Sequence, residues 1–218
     1  MLWVNFTARV DGHPSDALQR RYGIRGFPTL MVLDASGKKV ATPGGRDIAS
    51  FDISLNALQS LDDLNNRKAE GEKGLDASIL LAELRLGSVA HEEGSKRRKN
   101  LKIVKTRKFD KAQWTADITE IDALLFNLQV SDMLQKAGRD EDKQAELAET
   151  FYGFAKDGKF ASGDMTYQYW NKVLEVAKDK KDVEVFEQGY KAMYAMYKDN
   201  PRAAKFLTEM KEELDEMK

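Results

Sequence analysis

The stretch YGIRGFPTLMVLDASGK, residues Tyr22–Lys38, decides how the beginning of the chain is read. Within it, Pro28–Asp34 (PTLMVLD) is nearly all apolar, which predicts a strand covered on both faces. Ala35-Ser36-Gly37 is a turn signal, and KKVATP (Lys38–Pro43) predicts a shorter strand returning antiparallel to the first. Upstream, LWVNFTARV is rich in β-branched and aromatic residues and predicts a strand over Leu2–Val10. DGHPSD interrupts it, and a short helix follows from Pro14 or Ser15 through Ala17, Leu18 and Arg21, stopping at Tyr22-Gly23. Downstream, Phe51, Leu55, Leu58 and Leu61 recur at helical spacing. The order is therefore strand, helix, strand, strand, helix.

The segment Val10–Ala41, VDGHPSDALQRRYGIRGFPTLMVLDASGKKVA, is similar to the thioredoxin-like family from its third strand through its fifth, a match that covers about Val4–Gly45. Tyr22–Thr29 is its specific part. The resemblance implies an α+β fold class: a truncated thioredoxin-like βαββα segment over residues 1–70, followed by a helical domain over residues 75–218. It also implies a cis bond at Phe27–Pro28. At Gly26, Phe27, Pro28 and Thr29 it implies a backbone edge that pairs with extended peptides. The family's first two strands, first helix and Cys-x-x-Cys helix would fall before Met1. The chain has no cysteine, so no mixed disulfide can form and the redox activity is not carried over. Without the strand that separates Leu2–Val10 from Pro28–Asp34 in that family, two apolar edges are left bare. Homo-oligomerisation through the N-terminal strands is the favoured remedy, ahead of direct pairing of the two retained strands or rearrangement of the first segment.

The 218 residues are 42% hydrophobic and 33% charged, with a formal net charge of −1. That balance supports a buried core and gives no global field for nucleic acid or anionic membrane. The absence of cysteine excludes disulfides, thiolate catalysis and cysteine-ligated zinc. MLWVNFTARVDGH is too short and too polar for a secretory leader, and no run reaches the ~18 apolar residues of a membrane span. The expectation is a cytoplasmic chain by default, with no membrane partner.

After the polar hinge Ala69–Gly74 the pattern is helical throughout. Asp76–Gly87 predicts a short helix. Asp110-Lys111-Ala112-Gln113 predicts a capping box opening a long one with Trp114, Ile118, Ile121, Leu125 and Leu128 on its stripe. Leu147, Phe151 and Phe154 mark the next. Asp164 is expected to cap a helix with Tyr167, Trp170, Leu174 and Ala177 inward, and Asp182 one with Phe186, Tyr190, Met193 and Tyr197. Asn200-Pro201 opens the last, with Leu207, Met210, Leu214 and Met217 on its stripe. Short turns between such helices predict an antiparallel bundle or short solenoid. From Asp164 to Lys218 it resembles tetratricopeptide-type helix pairs, above all in GYKAMYAMYKDNP.

Candidate chemistry is sparse. Asp11, His13 and Ser15 are the one close grouping of triad-type residues, although Asp11 and Ser15 also suit turn and cap positions. His91 lies in a polar segment, and two distant histidines make no metal site. Glu92-Glu93, Asp140–Asp142 and Glu212-Glu213 read as solvated helix faces. No cofactor or metal is expected, since neither a phosphate-cradling glycine loop nor a dinucleotide fingerprint is present. The sharpest electrostatic feature is Lys96–Lys111, with nine lysines or arginines against one acid. The leading reading is a non-redox, protein-binding or assembly module with a protein or peptide partner. The alternatives are a hydrolase of esterase, lactonase or peptidase type, and a nucleic-acid-associated protein working through residues 96–111.

Overall fold

The computed structural model describes residues 20–22, 24, 29–34, 36–43, 48–104 and 109–218. Among these, 74% are helical and 3% lie in strands. That corrects the α+β expectation of a thioredoxin-like βαββα segment. A hairpin remains: β1, Val32–Leu33, pairs antiparallel with β2, Lys39–Ala41, with a register irregularity between its two β1 residues. The Asp34 carboxylate closes the turn by accepting from the Ser36 and Lys38 amides, and Gly37 takes φ +79°. The predicted strand Leu2–Val10 lies outside the described residues.

The physical reason for the correction lies in the cover over β1. A central strand needs a hydrogen-bonded neighbour on each edge and packing on both faces. None of residues 29–33 is buried, and Leu33 is 41% exposed. The hairpin rests on helices instead. Ala41 and Val32 cluster with Ala57, Leu58, Leu61 and Leu86, and the Thr42 amide donates to the Leu86 carbonyl.

Helix α1, Ile48–Ala69, continues into the helical body: Leu64 packs with Ile79 of the next helix, α2, Asp76–Arg85, and with Leu75 at its N-cap. Then come α3, His91–Asn100, α4, Lys111–Ala137, and α5, Glu141–Lys156. Three more complete the body: α6, Thr166–Asp179, α7, Val183–Tyr197, and α8, Ala204–Glu216. From α4 onward each helix packs on its chain neighbour, while α4 also meets α2 and α3.

The helix starts follow from local chemistry. Asp110 accepts from the Ala112 and Gln113 amides, Asp140 from Lys143, Asp182 from Val185 and Asn200 from Arg202. The predicted capping box is half closed, because the Gln113 side chain donates to Asp117 at 2.7 Å rather than reaching back. Asp164 does not cap α6; it sits inside a 3-10 turn, Gly163–Met165. Tyr167 is 42% exposed and meets Tyr197 edge-on at 6.2 Å, while Tyr169 takes the core position.

Two cores result. One is aliphatic, from Leu80, Leu81, Leu84, Val89, Ile121 and Leu125. The other is aromatic, around Phe151, Tyr169, Trp170, Phe186 and Met193. Helix α4 serves both, giving Ile121 and Leu125 to the first and Val130 and Ala137 to the second.

Candidate functional site

Asp11, His13, Ser15, Gly26, Phe27 and Pro28 lie outside the described residues, and Thr29 is described as exposed. The basic strip is visible in part, since residues 105–108 also lie outside. Its two described arginines, Arg97 and Arg98, are engaged internally. Arg97 pairs with Glu83 and, at 3.7 Å, with Glu93. Arg98 forks onto Asp122, with Nε and Nη2 donating at 2.7 and 2.8 Å, a bond that holds the guanidinium more firmly charged. Lys96, Lys99 and Lys102 form no ion pair with the described residues.

The strip leads into a cleft of about 430 Å³ between α3, α4 and the connection from α5 to α6. Helix α3 contributes His91, Arg98 and Lys99, α4 contributes Asp122, Leu125 and Phe126, and the connection contributes Lys159 and Phe160. Gly94 sets the height of one wall. A Cβ there would stand 2.6 Å from Leu125 Cδ2 and 3.3 Å from Val89 Cγ1, so any larger residue would have to push the Leu125 methyl aside.

The opposite wall is an irregular segment held at both ends. The Tyr169 hydroxyl lies 2.6 Å from the Lys159 carbonyl and 3.1 Å from that of Phe151; with one proton, it donates chiefly to the nearer. Burial raises the pKa of this phenol, so it stays a donor. Beyond, the Ser162 amide donates to Asn127 Oδ1 at 3.0 Å, and Ala161 is buried. Between these anchors Phe160 stacks on Trp170, centroids 5.3 Å apart at 25°, and remains 44% exposed.

The electrostatics are lopsided. Arg98, Lys99 and Lys159 face a single carboxylate, Asp122, and that carboxylate is engaged by Arg98. Lys159 Nζ sits 5.9 Å over the Phe154 ring and makes no ion pair with the described residues. His91 Nδ1 is 3.9 Å from Asp132, beyond hydrogen-bond reach. The arrangement combines an apolar floor with ammonium groups on two walls that form no ion pair with the described residues.

Two other features are self-contained. A groove of about 290 Å³ at α6, α7 and α8 includes Leu174, Phe186, Phe206 and Met210, but of its charged residues Lys178 and Glu213 bridge each other at 2.6 Å and Glu175 lies 3.7 Å from Lys172. Asp117 is buried yet accepts from Ser78 at 2.8 Å and Gln113 at 2.7 Å, a structural role. Among the described residues, no three His, Cys, Asp or Glu side chains could hold a metal together, and no helix is long and apolar enough to cross a membrane.

Sequence reasoning pointed to the basic strip but missed Lys159 and Phe160. Their signal was an aromatic beside a lysine in the short connection GKFASG, Gly158–Gly163, where a solvated turn has no need of a ring. No protein-family model matches this chain, and no significant match was found among curated proteins or solved structures.

Proposed function

We propose that this chain is a protein-binding or assembly module. Its helical body is the scaffold, and the α3–α4 cleft receives a segment of the partner protein. The observation that carries the reading is Phe160, a large ring kept 44% exposed by a stack on Trp170 and by anchored backbone on either side. Exposed rings fixed in advance lose little entropy on binding and serve as interface anchors. The resemblance of Asp164–Lys218 to tetratricopeptide-type helix pairs fits this role, because neighbour-on-neighbour helical stacks present extended surfaces to proteins.

Selection of a displayed random-peptide library on the purified chain tests the reading. Enriched peptides should lose at least tenfold in retention on Phe160→Ala and keep it on Leu55→Ala, at an exposed site on α1. A selection that enriches nothing, or peptides indifferent to Phe160, would overturn it.

A further inference from the structure

We infer that the segment taken by the cleft is acidic, with one apolar anchor flanked by carboxylates; this rests on the protein-binding reading. Three observations converge. First, Lys99 on α3 and Lys159 on the α5–α6 connection are exposed, stand on different walls, and lack any ion pair with the described residues. Two such ammonium groups call for anionic charge on either side of whatever lies between. Second, Arg98 is unavailable to a ligand because both of its forked donors are held by Asp122. Planar, bidentate recognition of phosphate depends on that fork, whereas lysines act as adaptable point charges suited to mobile carboxylates. Third, the floor between the lysines is Leu125 and Phe126, with Phe160 at the rim. An apolar floor gives a stripped polyanion nothing to bury, while it rewards an aromatic or aliphatic side chain.

The occupant is thus a peptide rather than a nucleic acid. The net charge of −1 agrees, since a phosphate backbone would meet no attractive long-range field. Carboxylates flanking an anchor need only the local excess of cations.

Fluorescence anisotropy on the full chain tests this with four labelled probes. One peptide carries a central Phe between Glu pairs, the second replaces that Phe by Ser, the third replaces the Glu residues by Lys, and the fourth probe is a single-stranded oligodeoxynucleotide. The Glu–Phe peptide should bind best, weaken as salt rises, and lose tenfold or more in Lys99→Glu/Lys159→Glu. The same charge change at Lys205→Glu/Lys211→Glu on α8 should leave it within about twofold, and circular dichroism confirms that each variant folds. The Ser peptide should bind tenfold more weakly. Equal binding of the Lys–Phe peptide, abolished by Phe160→Ala, would overturn the acidic assignment and leave the protein-binding reading standing. Tighter binding of the oligonucleotide, lost in Lys99→Glu/Lys159→Glu, would overturn both. Absence of binding by every probe would overturn the inference, while the library selection decides the broader reading independently.

Discussion

The α5–α8 stack and the β1–β2 hairpin use apolar residues in opposite ways. In the stack, Phe151, Tyr169, Phe186 and Met193 are essentially inaccessible to solvent, and each helix before the last lies between two chain neighbours that cover its stripe. In the hairpin, an apolar run of comparable strength leaves Leu33 at 41% exposure, with one helical surface beneath it. A helix satisfies its backbone internally and asks of its surroundings only a matching stripe. A strand must also find partners for its edges. Hydrophobicity alone therefore predicts burial well in one region and poorly in the other.

The sharpest break of that comparison is to truncate one large residue. Phe151→Ala should cost about 3–5 kcal/mol, since it removes a fully buried ring that contacts Tyr169 and Phe154. Urea unfolding followed by circular dichroism measures it; a loss under about 1 kcal/mol would mean the aromatic core is loosely packed.

Two glycines sharpen the picture by sign. A Cβ at Gly189 would stand 2.7 Å from Leu174 Cδ2 and 2.8 Å from the Trp170 ring, so Gly189→Ala should destabilise by about 1–3 kcal/mol despite its gain in helix propensity. A Cβ at Gly153 meets nothing within 4 Å, and Gly153→Ala should stabilise by up to about 1 kcal/mol. Thermal melts of the pair must move in opposite directions.

Asp182 links the stack to pH. Burial alone would raise its pKa, but the Tyr152 hydroxyl at 2.7 Å, Lys156 at 2.9 Å and the Val185 amide hold it at about 2. In the unfolded chain it titrates at about 3.9. A depressed carboxylate contributes its stability fully above the unfolded value and loses it as pH falls through the folded one. Stability should therefore drop between about pH 4 and pH 2, and Asp182→Asn should flatten that drop. At pH 7, Asp182→Ala should cost about 1–2 kcal/mol through the lost cap.

The smallest effect belongs to the hairpin. Leu33→Ala should change stability by less than about 0.5 kcal/mol, because the side chain is already half in water. A loss above 2 kcal/mol would place Leu33 under cover and erase the contrast with Phe151.

The helical stops were legible in the sequence because single residues decide them: Gly87, Gly138 and Gly158 each stand at a helix end at positive φ. Asp110, Asp182 and Asn200 could be read as caps for the same reason. The failure at Pro28–Asp34 arose because strand assignment depends on neighbours that no local pattern names. At the site, Lys99 was visible as part of a charge run. Lys159 and Phe160 were not, because they reach the same cleft only after α4 and α5 have folded back on one another. The internal engagement of Arg97 and Arg98 was equally hidden, since Glu83 and Asp122 are contributed by other helices.

Helix α4 has a kinetic consequence. Because Ile121 and Leu125 are packed in one core and Val130 in the other, neither core can open without stripping one side of the same rod. Amide protons between Ile121 and Val130 should then exchange with solvent deuterium only when the helical body melts as a whole. Those of the hairpin, tied to the body among the described residues by the backbone bond from Thr42 to Leu86, should exchange by brief local excursions. One continuous helix through both cores would make the helical body melt in a single step.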